Sequence, residues 1–195
     1  MISIDILSAI KDRRSIHNFK NDEVERVIIQ EIFTYASYAP THYMKESWQI
    51  KLYEKNGKKH FIDAIIESYQ RLGMLKTRDD DKTEKMIHSM KQFLLRIPHH
   101  ALIYFKKEDD PVRYEEEYAS VCAFIQNAQL TAWSYGVGML WTITPYMHDE
   151  GFTRAIGLDP SIDKIAAVLQ IGYPEKIPHD KGRTPIGEKL EFLSE

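Results

Sequence analysis

The stretch Arg13-Arg14-Ser15-Ile16-His17 places two guanidinium groups, a hydroxyl and an imidazole within five residues. Near the other end of the chain, Lys181-Gly182-Arg183 sets two more cations around a flexible glycine. These are phosphate-binding side chains. An arginine fork meets two phosphate oxygens with parallel charge-assisted hydrogen bonds, and a serine hydroxyl donates another. If the two segments meet in space, together they enclose one phosphate. A plainer reading of the same residues stays open: Arg13 and Arg14 complement a helix C-terminus, and Lys181 and Arg183 are solvated charges of the tail.

Other chemistries lack their residues. The eight histidines form no pair at ligand spacing with cysteine or carboxylate, and the adjacent His99 and His100 diverge in either regular element, so no metal site is expected. The sequence contains no Gly-x-Ser-x-Gly elbow, Walker loop or dinucleotide fingerprint. Gly136-Val137-Gly138 is a fragment of the last, but it follows a helix, where a C-cap explains it. The single cysteine, Cys122, excludes an internal disulfide and falls inside a helical pattern as an expected core residue. With 26 basic against 29 acidic residues the net charge is −3, so nothing pulls the whole chain toward nucleic acid or an anionic membrane. Any anion site must be local. No apolar run approaches the ~18 residues of a membrane span, and the N-terminus lacks a secretory pattern, so a cytoplasmic location is expected. At 28% charged and 43% hydrophobic over 195 residues, the composition suits a single folded domain, 1–195.

Periodicity then supplies the elements. Ile6, Leu7 and Ile10 share one helical stripe, with Ser3 as its cap and the arginines at its C-terminal end. A buried-face helix is expected over 22–40, with Val24, Val27, Ile28, Ile32, Tyr35, Ala36 and Ala39 inward and Pro40 as the stop. Trp48, Ile50 and Leu52 alternate with Gln49, Lys51 and Tyr53 in a strand closed by Asn56-Gly57. Helices follow at 61–73 and 82–98 around a charged loop, 76–81. The continuous apolar runs 101–105 and 164–173 read as strands covered on both faces. Between them the pattern places a long helix, 115–136, a strand, 138–144, and a short helix near 149–157. The proline- and charge-rich segment 174–187 reads as a strap.

In order and spacing, "RRSIHNF", "YASYAPTHYMKESWQI", "NAQLTAWSYGVGMLW" and "KGRTP" resemble the FMN-dependent nitroreductase family. The resemblance implies an α+β fold with a mainly antiparallel central sheet flanked by helices, built as an intertwined homodimer with FMN in the interface. It implies that Arg13, Arg14, Ser15, His17, Lys181 and Arg183 grip the FMN phosphate and ribityl chain. Pro40, Thr41 and His42 match the segment that reaches the partner's flavin. The stretch Met139, Leu140, Trp141 and Thr142 matches one that packs along a flavin face. NAD(P)H is the implied electron donor, with a nitroaromatic, quinone or similar small molecule as acceptor, and FMN rather than a catalytic side chain carries the hydride. Two departures stand out. Met44, Glu46 and Ser47 replace the Asn, Gln and Pro of the family's Asn-x-Gln-Pro-Trp, of which only Trp48 is kept. His17 stands where relatives commonly have a permanent cation, so charge stabilisation of reduced flavin there would depend on pH. Dehalogenation, flavin fragmentation, and a flavin-binding or redox-sensing module without turnover remain alternative readings. Residues 60–98 match nothing in the family pattern.

Overall fold

The computed structural model describes residues 5–75 and 80–194. Its centre is set by the two apolar runs. β2 (His99–Lys106) and β4 (Asp163–Gly172) pair antiparallel in the middle of a four-stranded sheet. β1 (Gln49–Glu54) and β3 (Gly138–Thr142) add antiparallel edges, giving the order β1-β2-β4-β3. The sheet is antiparallel and flanked by helices, an α+β arrangement as expected.

Side chains alternate across the two middle strands, so each face of the sheet has its own core. Ala101, Ile103, Phe105, Leu169 and Ile171 pack on one face with α2 (Arg26–Ala36) and α5 (Pro111–Ser134). Leu102, Ile165 and Val168 pack on the other with α3 (Gly57–Arg71) and α6 (Glu150–Ala155), and half-buried residues of α4 (Asp80–Arg96) cover that side. The register slips between Ile103 and Tyr104, which pair with Ala167 and Ile165. Ala166 is the extra residue of this bulge, and both Ala166 and Ala167 face the first core. His99 and His100 do diverge: the His99 ring accepts the Val24 N–H at 3.0 Å, and His100 lies against Phe61.

Several boundaries and faces differ from expectation. In α1 (Ile6–Asp12) only Ala9 is buried, and the stripe Ile6, Leu7 and Ile10 faces outward. The periodicity correctly gave a shared face but not what covers it. The expected Ser3 cap lies outside the described residues, and the Asp5 side chain caps α1 by accepting the Ser8 N–H. α2 starts only at Arg26; Val24 is buried ahead of the helix, while Val27 and Tyr35 are exposed. α3 begins earlier than expected, at Gly57. α5 also begins earlier, with Pro111 in its first turn and Asp110 capping it through the Arg113 N–H. Cys122 is half-buried rather than in the core, and burial pushes its thiol pKa up. The charged loop falls partly on residues 76–79, which lie outside the described residues; Asp80 and Asp81 form the first turn of α4.

The segment after α1, distinct from the tail segment 174–187, crosses the sheet's β3 end as a strap. The Ile16 N–H donates to the Met139 carbonyl, the Lys20 N–H to the Tyr173 carbonyl, and Ile16 and Phe19 are buried with Ile97. Two glycines make room. A Cβ on Gly138 would stand 2.5 Å from Ile16 Cγ1, and one on Gly172 would stand 2.9 Å from Pro98. Gly136, with φ +71, is the helix-terminating residue that the sequence suggested, whereas Gly138 serves close approach. A Gly138→Ala substitution is therefore expected to overpack Ile16 and cost about 1–3 kcal/mol. Urea unfolding measures this; an unchanged midpoint would show that the strap yields without cost.

Candidate functional site

The strap and the tail meet. Arg13, Arg14, Ser15 and His17 from one end of the chain, and Lys181 and Arg183 from the other, line a single cleft of about 320 Å³. All six residues of the sequence-derived clamp are thus brought together, and among the described residues the one carboxylate lining the cleft is Asp180. Arg14 is held by the carbonyls of Lys11 and Arg13, at 2.7 and 3.0 Å, and its Nη2 stands 3.4 Å from Asp180. Its side chain is only 17% exposed, yet its Nε is buried without a partner. The Arg13 pKa is lowered by burial and then by the neighbouring charges of Arg183 and Arg14. Three guanidinium groups therefore converge with little counter-charge, which favours an incoming anion.

Asp180 was not foreseen. Its carboxylate accepts the Gly182 N–H at 3.1 Å while Gly182 takes φ +72, so it shapes the turn that presents Lys181 and Arg183. Among the described residues Arg183 itself bonds only to the Gly182 carbonyl, at 2.8 Å. The signal in the sequence was an Asp two residues before a glycine, which marks a turn but names no partner.

β3 is an edge strand whose outer side, among the described residues, is bridged only at Met139, by Ser15. Leu140 packs against the Ile16–Phe19–Ile97 cluster, Trp141 is half-buried with its indole N–H unpartnered, and the Thr142 hydroxyl donates to the Val168 carbonyl at 2.8 Å. Trp48 is a core residue, stacked on Phe124 with centroids 4.9 Å apart. In the unmatched region, Phe93 and Arg96 at the end of α4 share a small pocket of about 100 Å³ with His17 and Asn18. Nothing in their local sequence announced that proximity.

Pro40, Thr41 and His42 do not line the basic cleft of their own chain. His42 borders a different cleft of about 640 Å³ at the start of α5, where its Nδ1 lies 2.8 Å from Glu116 Oε2. The loop that follows is tightly anchored. Lys45 bonds Glu108 and, at 3.1 Å, the 6%-exposed side chain of Glu117; the Ser47 hydroxyl also donates to Glu117. The Glu46 N–H donates to the Thr41 hydroxyl, and the Ser120 hydroxyl to the Pro40 carbonyl. Tyr43, Met44 and Glu46 take φ of 50°, 53° and 48°. Such left-handed conformations cost on the order of 1 kcal/mol each for side-chain-bearing residues. Two of these three residues, Met44 and Glu46, are ones at which "MKESW" differs from the family motif.

The family model described as Nitroreductase family matches residues 10–173, and the chain belongs to that family. YfhC of Bacillus subtilis (strain 168), which bears the provisional designation NAD(P)H nitroreductase, is 32% identical over 93% of this chain and 90% of its own. The crystal structure of a nitroreductase-like family protein from Bacillus cereus superposes with a TM-score of 0.89 at 32% identity, covering 100% of this chain and 99% of that one. Iodotyrosine deiodinases are also relatives. That of Hydra vulgaris is 30% identical over 95% of this chain and 72% of its own. A solved iodotyrosine deiodinase bound to FMN and 3-iodo-L-tyrosine shares the fold at 18% identity and a TM-score of 0.70, covering 93% of this chain and 96% of that one.

Proposed function

We propose that the protein is a cytoplasmic, homodimeric oxidoreductase that passes a hydride from NAD(P)H through bound FMN to a nitroaromatic, quinone or similar acceptor. The observation that carries this reading is the convergence of Arg13, Arg14, Lys181 and Arg183 on one cleft, with a buried Arg14 Nε that has no partner. That donor set fits the terminal phosphate dianion of FMN, with Ser15 adding a hydroxyl. When bound, FMN supplies the hydride chemistry between donor and acceptor. The chain's own residues would anchor and orient it: the arginines and Lys181 would hold the phosphate, with Ser15 and His17 beside it, and the half-buried edge strand β3 would offer Leu140, Trp141 and Thr142 as further contacts.

A second copy of the chain completes the site in this reading. Pro40–His42 and the basic cleft lie apart within one chain, so only a partner brings such a segment to the flavin. Ile6, Leu7, Ile10, Tyr35 and Tyr38, with Phe192 and Leu193 of the tail, form exposed apolar surface suited to that contact. A permanent dimer of this kind buries more than about 2,000 Å². Reductive dehalogenation is a second reading, favoured by the 30% identity to an iodotyrosine deiodinase over nearly the whole chain. It uses the same clamp and differs in the acceptor.

The test is to denature the purified protein, chromatograph what is released, and measure the native mass by light scattering. FMN at about one per chain and the mass of two chains are expected. Recovery of FAD, no flavin uptake on reconstitution, or a flavin-loaded monomer would overturn the reading. Assays with a nitroaromatic and with 3-iodotyrosine then separate the two activities.

A further inference from the structure

We propose that Tyr43 and Met44 form an aromatic and thioether wall against which a planar, electron-poor aromatic acceptor packs, in the active site of the partner subunit. The inference rests on the FMN and dimer reading above, and it concerns the acceptor rather than the cofactor.

Backbone strain is the first support. Only four non-glycine residues among those described have positive φ, and three of them are Tyr43, Met44 and Glu46. Strain persists where surrounding structure over-determines it, and it gathers at functional sites. Here the over-determination is visible in the ties from Lys45 and Ser47 to Glu117, from Lys45 to Glu108, and from Glu46 to Thr41. The loop is thus held rigidly on α5. Yet this effort displays its side chains to solvent, since Tyr43 is 91% and Met44 75% exposed. A tightly fastened loop that turns an aromatic ring and a thioether outward positions them for a group outside its own chain.

The geometry of the ring specifies the class of that group. Tyr43 lies nearly parallel on the His42 imidazole, with centroids 4.2 Å apart and planes 14° apart. One ring face is supported and the other is free, which makes a shelf for a second flat ring. The Met44 thioether beside it is a polarisable, adaptable contact for aromatics. Both residues directly follow Pro40–His42, the segment that in the reading above reaches the partner's flavin. Tyr43 and Met44 are therefore positioning residues: they orient an acceptor and take no part in the transfer.

Glycine is the informative replacement, because it accepts the left-handed backbone while deleting the side chain. Flavin content, native mass and steady-state kinetics would be measured for Tyr43→Gly, Met44→Gly and Tyr43→Phe, with nitrobenzene and ferricyanide as alternative acceptors. Ferricyanide takes single electrons without stacking. Tyr43→Gly is expected to raise the KM for nitrobenzene about tenfold, the size of one aromatic stack, leaving ferricyanide reduction, FMN content and dimer mass within twofold. Tyr43→Phe should restore the nitrobenzene KM, and Met44→Gly should show a smaller effect of the same kind. Equal changes with both acceptors, or none with nitrobenzene, would overturn the proposal. Loss of the dimer in Tyr43→Gly would also overturn it, by assigning the ring to the subunit interface. A wild type that takes up no FMN defeats the underlying reading and this one together, and that result is seen before any variant is made.

Discussion

An Arg183→Ala variant is expected to bind FMN about 30-fold more weakly than the wild type, with little change in the stability of the flavin-free protein. The two halves of this expectation come from different contacts. Among the described residues Arg183 makes one hydrogen bond, to the Gly182 carbonyl, and its side chain is exposed, so the fold loses little when it goes. Toward a phosphate dianion it would offer a two-pronged charge-assisted contact, and truncating one partner of such a pair costs on the order of 2 kcal/mol. Removing it also relieves Arg13, whose pKa is lowered in part by Arg183. That relief favours the flavin-free protein and adds to the loss of affinity. Arg183→Lys, which keeps the charge and loses the fork, should fall between the two. Fluorescence titration of flavin-free protein with FMN measures the affinity, and riboflavin, which lacks the phosphate, is the control. Riboflavin affinity should be the same in all three proteins; an unchanged FMN affinity in Arg183→Ala would remove Arg183 from the clamp.

The unfolding free energy is expected to drop by about 3 kcal/mol between pH 6.5 and 4 through His100 alone. His100 lies on β2, buried, against Phe61, and its Nε2 is 3.0 Å from the Leu94 carbonyl, so that nitrogen carries the proton of the neutral ring. Burial pushes its pKa from 6.5 to about 4. The folded-state value is depressed, so below about pH 6.5 the unfolded chain takes up a proton that the folded one refuses. Stability from His100 is thus fully present above that pH and is lost as pH falls toward 4. His99 is shifted in the same direction, chiefly by burial, and its Nε2 is already occupied by the Val24 N–H. Glu54 and Asp149, whose carboxyl pKa values are lowered, add their own losses further into acid. The diagnostic quantity is therefore a difference. Urea unfolding at several pH values should show a shallower decline for His100→Gln than for the wild type, whatever the variant's stability at pH 7. Parallel curves would mean that the ring finds a way to charge in the folded state.

Local backbone geometry determined what could be read along the chain. A strand presents alternate residues to opposite faces, so the unbroken apolar runs of β2 and β4 required cover on both sides, and the sheet's centre was legible. Residue chemistry made Arg13, Arg14, Ser15, Lys181 and Arg183 a candidate phosphate set, but it left helix-end and solvated-tail charges equally open; the resemblance to a family favoured the first reading, and the fold brings the five to one cleft. Four stretches in one order were enough to point to the family. What periodicity could not supply was the identity of each neighbour. The stripe Ile6, Leu7 and Ile10 shares a face, as its spacing requires, but that face turns away from the chain's own core. Ala166 looks like any other residue of an apolar run until the pairing of β2 with β4 makes it the bulge. Glu108 and Glu117 are ordinary acidic residues in sequence, and they become anchors of the strained loop only because the turn before α5 and α5 itself pack beside it. Asp180 reaches the basic cleft, and Arg96 the separate small pocket beside His17, by the same route, from tail and helix ends distant in the chain. Side-chain periodicity is set by φ and ψ within a few residues, whereas the meeting of strap, tail, loop and helix depends on sheet register and helix packing, which only the folded chain decides.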